Sequence, residues 1–243
     1  MVVTGGTKGI GRAIVERYAA LGAWVYATYA SDTQAAEAML ADMPSDVATR
    51  VQLQRCYSAD TDGLSRMMQT IATRHNRLDI LVNNAGQNAD SLFLNMEPEQ
   101  WVSVIRSNLT GTLQTTLAAL SLMRAMTEGN RYIINLSSIS GLYGKAGQTN
   151  YACTKGGIIG FTKWLARHYT HEGIQSICVV PGLINTAMAS GMNPAIREAI
   201  AAATFVKRLG EPADVANTIL YLTSGQTTYM AGSCISIDGG FFK

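Results

Sequence analysis

Thr4-Gly5-Gly6-Thr7-Lys8-Gly9-Ile10-Gly11 follows the apolar pair Val2-Val3 and opens a helical pattern that runs from Gly11 to Leu21. Glycine at a strand end lets the chain turn tightly and lets a ligand approach the backbone. The helix that follows presents free N–H groups and the positive end of its dipole, so the turn suits an anion such as a pyrophosphate. The spacing is GxxxGxG rather than GxGxxG, and its place between strand and helix is what points to a nucleotide. The fold follows by extension along the chain. Apolar runs at Val2-Val3, Trp24 to Thr28, Val51 to Gln54, Ile80 to Val82, Tyr132 to Leu136, Ile174 to Val180 and Cys234 to Ile237 read as strands. Helical patterns lie between them, at Ala35 to Ala41, Leu64 to Arg74, Trp101 to Met126, Ala152 to His168 and Ala213 to Leu222. This alternation predicts an α/β fold with a doubly wound, parallel, Rossmann-type sheet. Several strands are continuously apolar, as expected where helices cover both sheet faces.

No linker or repeat divides the chain, so residues 1–243 are expected to form a single nucleotide-binding domain. The irregular stretch 185–209, with Asn185-Thr186-Ala187-Met188, Gly191 and Pro194, suits a mobile lid over an apolar ligand; an ordinary surface helix is the other reading. Hydrophobic residues make up 47% of the 243 and charged residues 15%, which fits a protein with much buried surface. A net charge of +2 offers no electrostatic footprint for nucleic acid or an anionic membrane. No apolar run approaches the roughly 18 residues of a membrane span, and the motif at residue 4 leaves no room for a signal peptide. Cys56, Cys153, Cys178 and Cys234 lack metal-ligand spacing and read as small hydrophobes in a reducing cytoplasm. No metal site is expected.

The adenosine ribose of a dinucleotide is read at the end of the second strand, where an acid suits NAD and its absence beside a cation suits NADP. Here the strand ends Tyr26-Ala27-Thr28-Tyr29, with no acid at its tip, and Lys8 could meet a 2′-phosphate. NADP is therefore expected over NAD. The competing reading gives the ribose to Asp32, although Ser31-Asp32-Thr33 looks more like a helix N-cap.

Tyr151 and Lys155 stand four apart in Asn150-Tyr151-Ala152-Cys153-Thr154-Lys155, so at helical spacing phenol and ammonium share a face. A free tyrosine titrates near pH ~10, and a nearby cation lowers that value towards usable acid–base chemistry. Such a pair by itself is more often a solvated helix face.

In company, these motifs resemble the short-chain dehydrogenase/reductase family over essentially the whole chain. Thr4 to Gly11, Asn83-Asn84-Ala85-Gly86, Asn108, Ser138, Tyr151 with Lys155, and Pro181-Gly182 leading to Thr186 stand in the family's order. Gly147 to Tyr151, Arg208-Leu209-Gly210-Glu211-Pro212 and Ile237-Asp238-Gly239-Gly240 are most similar to the 3-oxoacyl-(acyl-carrier-protein) reductases and their acetoacetyl-CoA reductase relatives. The resemblance implies Tyr151 as general acid and Ser138 as a hydrogen-bond donor to the same carbonyl oxygen. Lys155 would lower the tyrosine pKa and bind the nicotinamide ribose, and Asn108 would hold a water linking Lys155 to solvent. Gly5, Thr7, Lys8, Gly9, Ile10 and Gly11 would hold the pyrophosphate end. Asn83, Ala85 and Gly86 would form the cofactor floor, and Pro181, Gly182, Ile184 and Thr186 would meet the nicotinamide. Tyr57 stands where relatives often carry an acid or amide against adenine, and it would either stack there or pack away.

Asn88, Ser140, Tyr143, Gln148 and Met188 are expected on loops that border the substrate, an ordinary surface position being the other reading of each. A substrate on a carrier protein needs a basic rim, for which Arg124, Arg131, Lys163 and Arg167 are candidates interrupted by Glu128 and Glu172. Carrier-bound thioester, CoA thioester and free ketone stay open. A homo-oligomer is expected from the wide apolar faces of the helices around residues 101–126 and 152–168; the resemblance implies a homotetramer, with Gly239-Gly240-Phe241-Phe242 contributing. The expected function is NADPH-dependent reduction of a 3-oxoacyl thioester. The alternatives are an NAD(P)-linked dehydrogenase of a free alcohol and a catalytically silent nucleotide-binding regulator.

Overall fold

A computed structural model describes residues 1–241. Seven strands form one parallel sheet in the order β3-β2-β1-β4-β5-β6-β7: β1 Val2–Val3, β2 Val25–Tyr29, β3 Val51–Arg55, β4 Ile80–Asn83, β5 Arg131–Leu136, β6 Ile174–Pro181 and β7 Cys234–Ile237. The order reverses direction between β1 and β4, and the crevice of such a sheet opens there, beyond the strands' carboxyl ends. β1 is only two residues long, as its sequence implied, yet both residues pair with β2 on one side and β4 on the other.

Eleven α-helices among the described residues connect and cover the strands: α1 Gly9–Ala20, α2 Thr33–Ala41, α3 Ser45–Ala48, α4 Thr61–His75, α5 Pro98–Val104, α6 Gly111–Arg124, α7 Ile139–Tyr143, α8 Thr149–Tyr169, α9 Ala187–Ser190, α10 Pro194–Ala203 and α11 Pro212–Leu222. Strand side chains alternate between two cores. Val3, Val82, Ile134 and Val179 pack with Ile14 and Val15 of α1 and with Val215 and Ile219 of α11. Val2, Leu81, Ile133 and Ile174 face the other way, towards Leu64 and Met67 of α4, Met123 of α6 and Leu165 of α8. Both faces are covered, which is why the strands read as unbroken apolar runs.

The pattern from Trp101 to Met126 is not one continuous α-helix. Between α5 and α6, Ile105–Thr110 form a π-helical turn, with Ser107 and Asn108 buried inside it. Periodicity does not reveal the widened turn, because the apolar spacing on either side stays helical. Residues 185–209 contain α9 and α10 joined through Gly191, with none of α10 buried. No helix is long and apolar enough to cross a membrane among the described residues.

Candidate active site

The strand ends, α1 and the 185–209 segment enclose a cavity of about 890 Å³. Its wall runs from Gly5, Thr7, Lys8, Gly9 and Ile10 past Asn84, Ala85 and Gly86 to Ser138, Tyr151 and Lys155, and closes over Pro181, Gly182, Ile184 and Thr186. One space thus gathers the residues expected at the cofactor, apart from Gly11 and Asn83, with three of the four expected at the reaction.

The glycine loop is shaped from below. Gly5 has a φ of 61°, a conformation that disfavours a side chain, and a Cβ on Gly11 would lie 2.2 Å from the Gly5 carbonyl oxygen. Gly11 therefore lets the first turn of α1 press against the loop without itself lining the cavity. The helix begins with Lys8 as N-cap, which offers no side-chain hydrogen bond. Its leading N–H groups face the cavity end where Gly9 and Ile10 lie, the arrangement that suits a bound phosphate.

Asn83 is placed differently from its sequence reading. It is buried in the sheet, where its amide donates to Thr116 at 2.9 Å and to Asn135 at 2.8 Å. The neighbouring Asn84 lines the cavity and donates to the carbonyls of Thr4 and Gly5, at 2.9 and 3.0 Å. Strand alternation explains the exchange, since successive side chains leave opposite faces.

At the other end, Asp32 caps α2 by accepting from the Ala35 N–H at 2.9 Å, as its sequence suggested. It also lines the cavity and forms an ion pair with Lys8, so its place beyond the strand tip does not remove it from the ribose end. Tyr57 packs away: it lies under the Arg106 guanidinium, 5.9 Å from the ring centre, and Tyr29, Ala30 and Ser31 line the cavity instead.

Ser138 lies two residues beyond the end of β5 and caps α7, where its hydroxyl accepts from the Ser140 N–H at 3.2 Å. The same side chain shares the cavity wall with Tyr151 and favours ionisation of its phenol. Tyr151 and Lys155 project from one face of α8, as their spacing requires. Ser137 secures that turn by donating to the Lys155 carbonyl at 2.8 Å. The lysine ammonium is almost wholly buried and donates to the Leu136 carbonyl at 2.7 Å.

The sequence reading had Lys155 lowering the tyrosine pKa, but burial prevails here. Desolvation pushes Tyr151 up to about 12, partly offset by the Ser138 side chain and reinforced by the Asp90 carboxylate. Burial likewise pulls Lys155 down to about 8. The phenol is therefore held protonated, the state a proton donor needs.

Asn108 does not line the cavity. From the π-helical turn its side chain accepts from the Gln87 N–H at 2.8 Å and donates to the Gln87 carbonyl at 2.9 Å and to Thr154 at 3.3 Å. It pins the loop after β4 to α8. Gly86 fits between this amide and Lys155, since a Cβ there would lie 3.3 Å from Asn108 Oδ1 and 3.6 Å from Lys155 Nζ.

All five residues proposed to border the substrate (Asn88, Ser140, Tyr143, Gln148 and Met188) line the cavity, although Ser140 and Tyr143 lie on the short helix α7 and Met188 on α9 rather than on loops. Asp90, which sequence reasoning missed, joins them, and nothing in its local pattern distinguishes it from a surface aspartate. Cys153 lies exposed on α8 and outside the cavity lining. Of the four candidate rim cations, Arg131 is buried and donates to the carbonyls of Met123, Met126 and Glu172, which removes it from any docking role. Arg124 pairs with Glu172 at 2.6 Å, while Lys163 and Arg167 are exposed on α8.

Known proteins resemble this chain in sequence and fold. A family model described as Enoyl-(Acyl carrier protein) reductase matches residues 5–242. The chain is 37% identical to a 3-oxoacyl-[acyl-carrier-protein] reductase of Synechocystis sp., over 98% of this chain and 95% of the relative. It is 34% identical to a protein of the same description from Staphylococcus aureus, over 99% and 97%. A crystal structure from Brucella melitensis, described as a short-chain dehydrogenase/reductase and glucose/ribitol dehydrogenase, matches with a TM-score of 0.92 at 27% identity, over 100% of this chain and 96% of that one. Sequence and architecture agree along nearly the whole length: the chain belongs to the short-chain dehydrogenase/reductase family and is an NAD(P)-dependent oxidoreductase.

Proposed function

We propose that this protein reduces the keto group of a 3-oxoacyl thioester, carried on an acyl carrier protein or CoA, to the 3-hydroxyacyl form with NADPH. The observation that carries the reading is that Ser138, Tyr151 and Lys155 line the same cavity as the glycine loop. The donor set fits a nicotinamide dinucleotide: free helix N–H groups for its phosphates, Lys8 for a 2′-phosphate, and Lys155 beneath the nicotinamide ribose. Such a cofactor, when bound, supplies the hydride.

Tyr151 delivers its proton to the substrate's carbonyl oxygen. Ser138 donates a hydrogen bond to that oxygen and steadies the negative charge that builds on it. Lys155 holds the ribose end and, once a phenolate forms, lies close enough to stabilise it. Asn108 keeps Gly86 and α8 in place around Lys155, and a water beside it would connect the lysine to solvent. Residues 185–209 act as the lid of this single domain. Names of relatives at 34–37% identity support the 3-oxoacyl substrate, and a biosynthetic setting in the cytoplasm belongs to the same proposal. Exposed apolar side chains on α5, α6 and α8, among them Val102, Leu113, Leu117 and Trp164, support a homotetramer. Phe242, expected to join that contact, lies outside the described residues.

A second reading, an NAD-linked dehydrogenase of a free secondary alcohol, rests on Asp32, the acid at the ribose end of the cavity. Absorbance of NADPH and of NADH, followed with acetoacetyl-CoA beside the Tyr151→Phe variant, separates the two. Oxidation confined to NADPH and dependent on Tyr151 supports the thioester reductase. Turnover of alcohols with NAD and none of the thioester supports the dehydrogenase.

A further inference from the structure

Five charged side chains line the cavity: Lys8, Asp32, Asp90, Lys145 and Lys155. Lys8 and Asp32 neutralise each other at the adenosine end. Lys155 is turned towards the Leu136 carbonyl. Lys145 lies exposed on the loop between α7 and α8, and no ion pair joins it to Asp90 among the described residues. Asp90 is thus a carboxylate without a cation, on the substrate side of the cavity.

It is also held in place. Asp90 Oδ2 accepts from Gln148 Nε2 at 2.8 Å and Oδ1 accepts from Asn88 at 3.1 Å, while Gln148 Oε1 accepts from Ser140 at 3.0 Å. The surrounding loop is tied to α8 and its approach, with Asn150 donating to the Ala89 carbonyl at 3.0 Å and the Ser91 N–H donating to the Gly147 carbonyl at 2.9 Å. The charge acts on the reaction centre: it opposes loss of the Tyr151 proton.

We propose that Asp90 is a specificity-determining residue that rejects free 3-oxo acids and admits the same acyl groups as neutral thioesters. The proposal rests on the 3-oxoacyl reading above. In a free 3-oxo acid the carboxylate is separated from the ketone by one methylene. With the ketone at Tyr151 and Ser138, that second negative charge falls in the space Asp90 faces. Asp90 is exposed on the cavity wall, and like charges facing one another across that space repel; the expected cost is about tenfold in kcat/KM. A thioester carbonyl in the same position carries no charge and is not repelled.

The test compares acetoacetate with the neutral N-acetylcysteamine thioester of acetoacetate, using whichever nucleotide supports the thioester reaction. The readout is the ratio of kcat/KM for the acid to that for the thioester. Asp90→Asn is expected to raise this ratio at least tenfold, Asp90→Ser to raise it similarly, and Asp90→Glu to leave it within about threefold. The serine variant covers the case in which asparagine disturbs the Gln148 contact and fails to fold. An unchanged ratio in the neutral variants, with both substrates slowed alike, would reduce Asp90 to a tether for Gln148 and overturn the proposal. Wild-type protein that reduces acid and thioester equally well would overturn it too, while leaving the 3-oxoacyl reading intact. Wild-type protein that reduces neither would remove that reading and the proposal with it.

Discussion

Lys155 Nζ stands 5.5 Å from the centre of the Tyr151 ring, yet its hydrogen bond goes to the Leu136 carbonyl at 2.7 Å. The two groups share a buried pocket without neutralising each other's desolvation. Without a ligand, the tyrosine keeps its proton and the lysine releases its own more readily than usual.

Tyr151→Phe retains the ring and removes the transferable proton. Turnover is expected to fall by roughly 100-fold or more, the scale of lost general-acid catalysis. Melting temperature and nucleotide binding by fluorescence should hold. Activity within about threefold of wild type would take Tyr151 out of the mechanism.

Lys155→Met should separate stability from activity. The folded pKa of Lys155, about 8, lies below its ordinary 10.5. Between those values the unfolded chain binds more protons, so this group's contribution to stability rises with pH. Below about pH 8 the ammonium is charged in both states, and its burial costs on the order of 3 kcal/mol. The methionine variant should therefore melt higher than wild type at pH 7, with an advantage that shrinks as pH rises from 8 towards 10.5, and should be inactive. Thermal melts across that range decide the point: a gap independent of pH would contradict the buried-ammonium account.

Lys8→Glu replaces the cation at the proposed 2′-phosphate position. NADPH affinity should drop at least tenfold and NADH affinity far less, measured by titration of intrinsic fluorescence. Its ion pair with Asp32 is exposed and screened by solvent, so the melting temperature should barely move. Equal weakening of both nucleotides would place the phosphate elsewhere.

Gly11→Ala would put a methyl group 2.2 Å from the Gly5 carbonyl oxygen. That atom is backbone and cannot swing aside, so the loop or α1 must shift. We expect a loss of several kcal/mol in urea unfolding, within the upper range for backbone conflicts, and weaker binding of both nucleotides. A stability change below about 0.5 kcal/mol would show that the turn is looser than it looks.

Where the chain dictates geometry locally, its sequence was easy to read. The seven strands, the glycine loop, the Asp32 cap and the shared face of Tyr151 and Lys155 all follow from short-range spacing. Features set by tertiary contacts were hidden. Asn83 and Asn84 are chemically alike, and only sheet pairing decides which one faces the cavity. Arg131 looks like a surface cation until three carbonyls converge on it. Asp90 gains its place through Gln148, which is 58 residues away. The tyrosine pKa depends on how deeply the ring is buried, and the identities of its neighbours do not disclose that.

The widened turn at Ile105–Thr110 makes helix length itself part of the active-site design. Each helical residue advances the chain by about 100°. Removing one residue there would restore regular winding and rotate α5 by that angle relative to α6. Either Asn108 would leave Gln87 and Thr154, or α5 would lose its seat. A shorter chain could thus carry every recognisable motif in order, build a better helix and still fail to assemble the floor beneath Lys155.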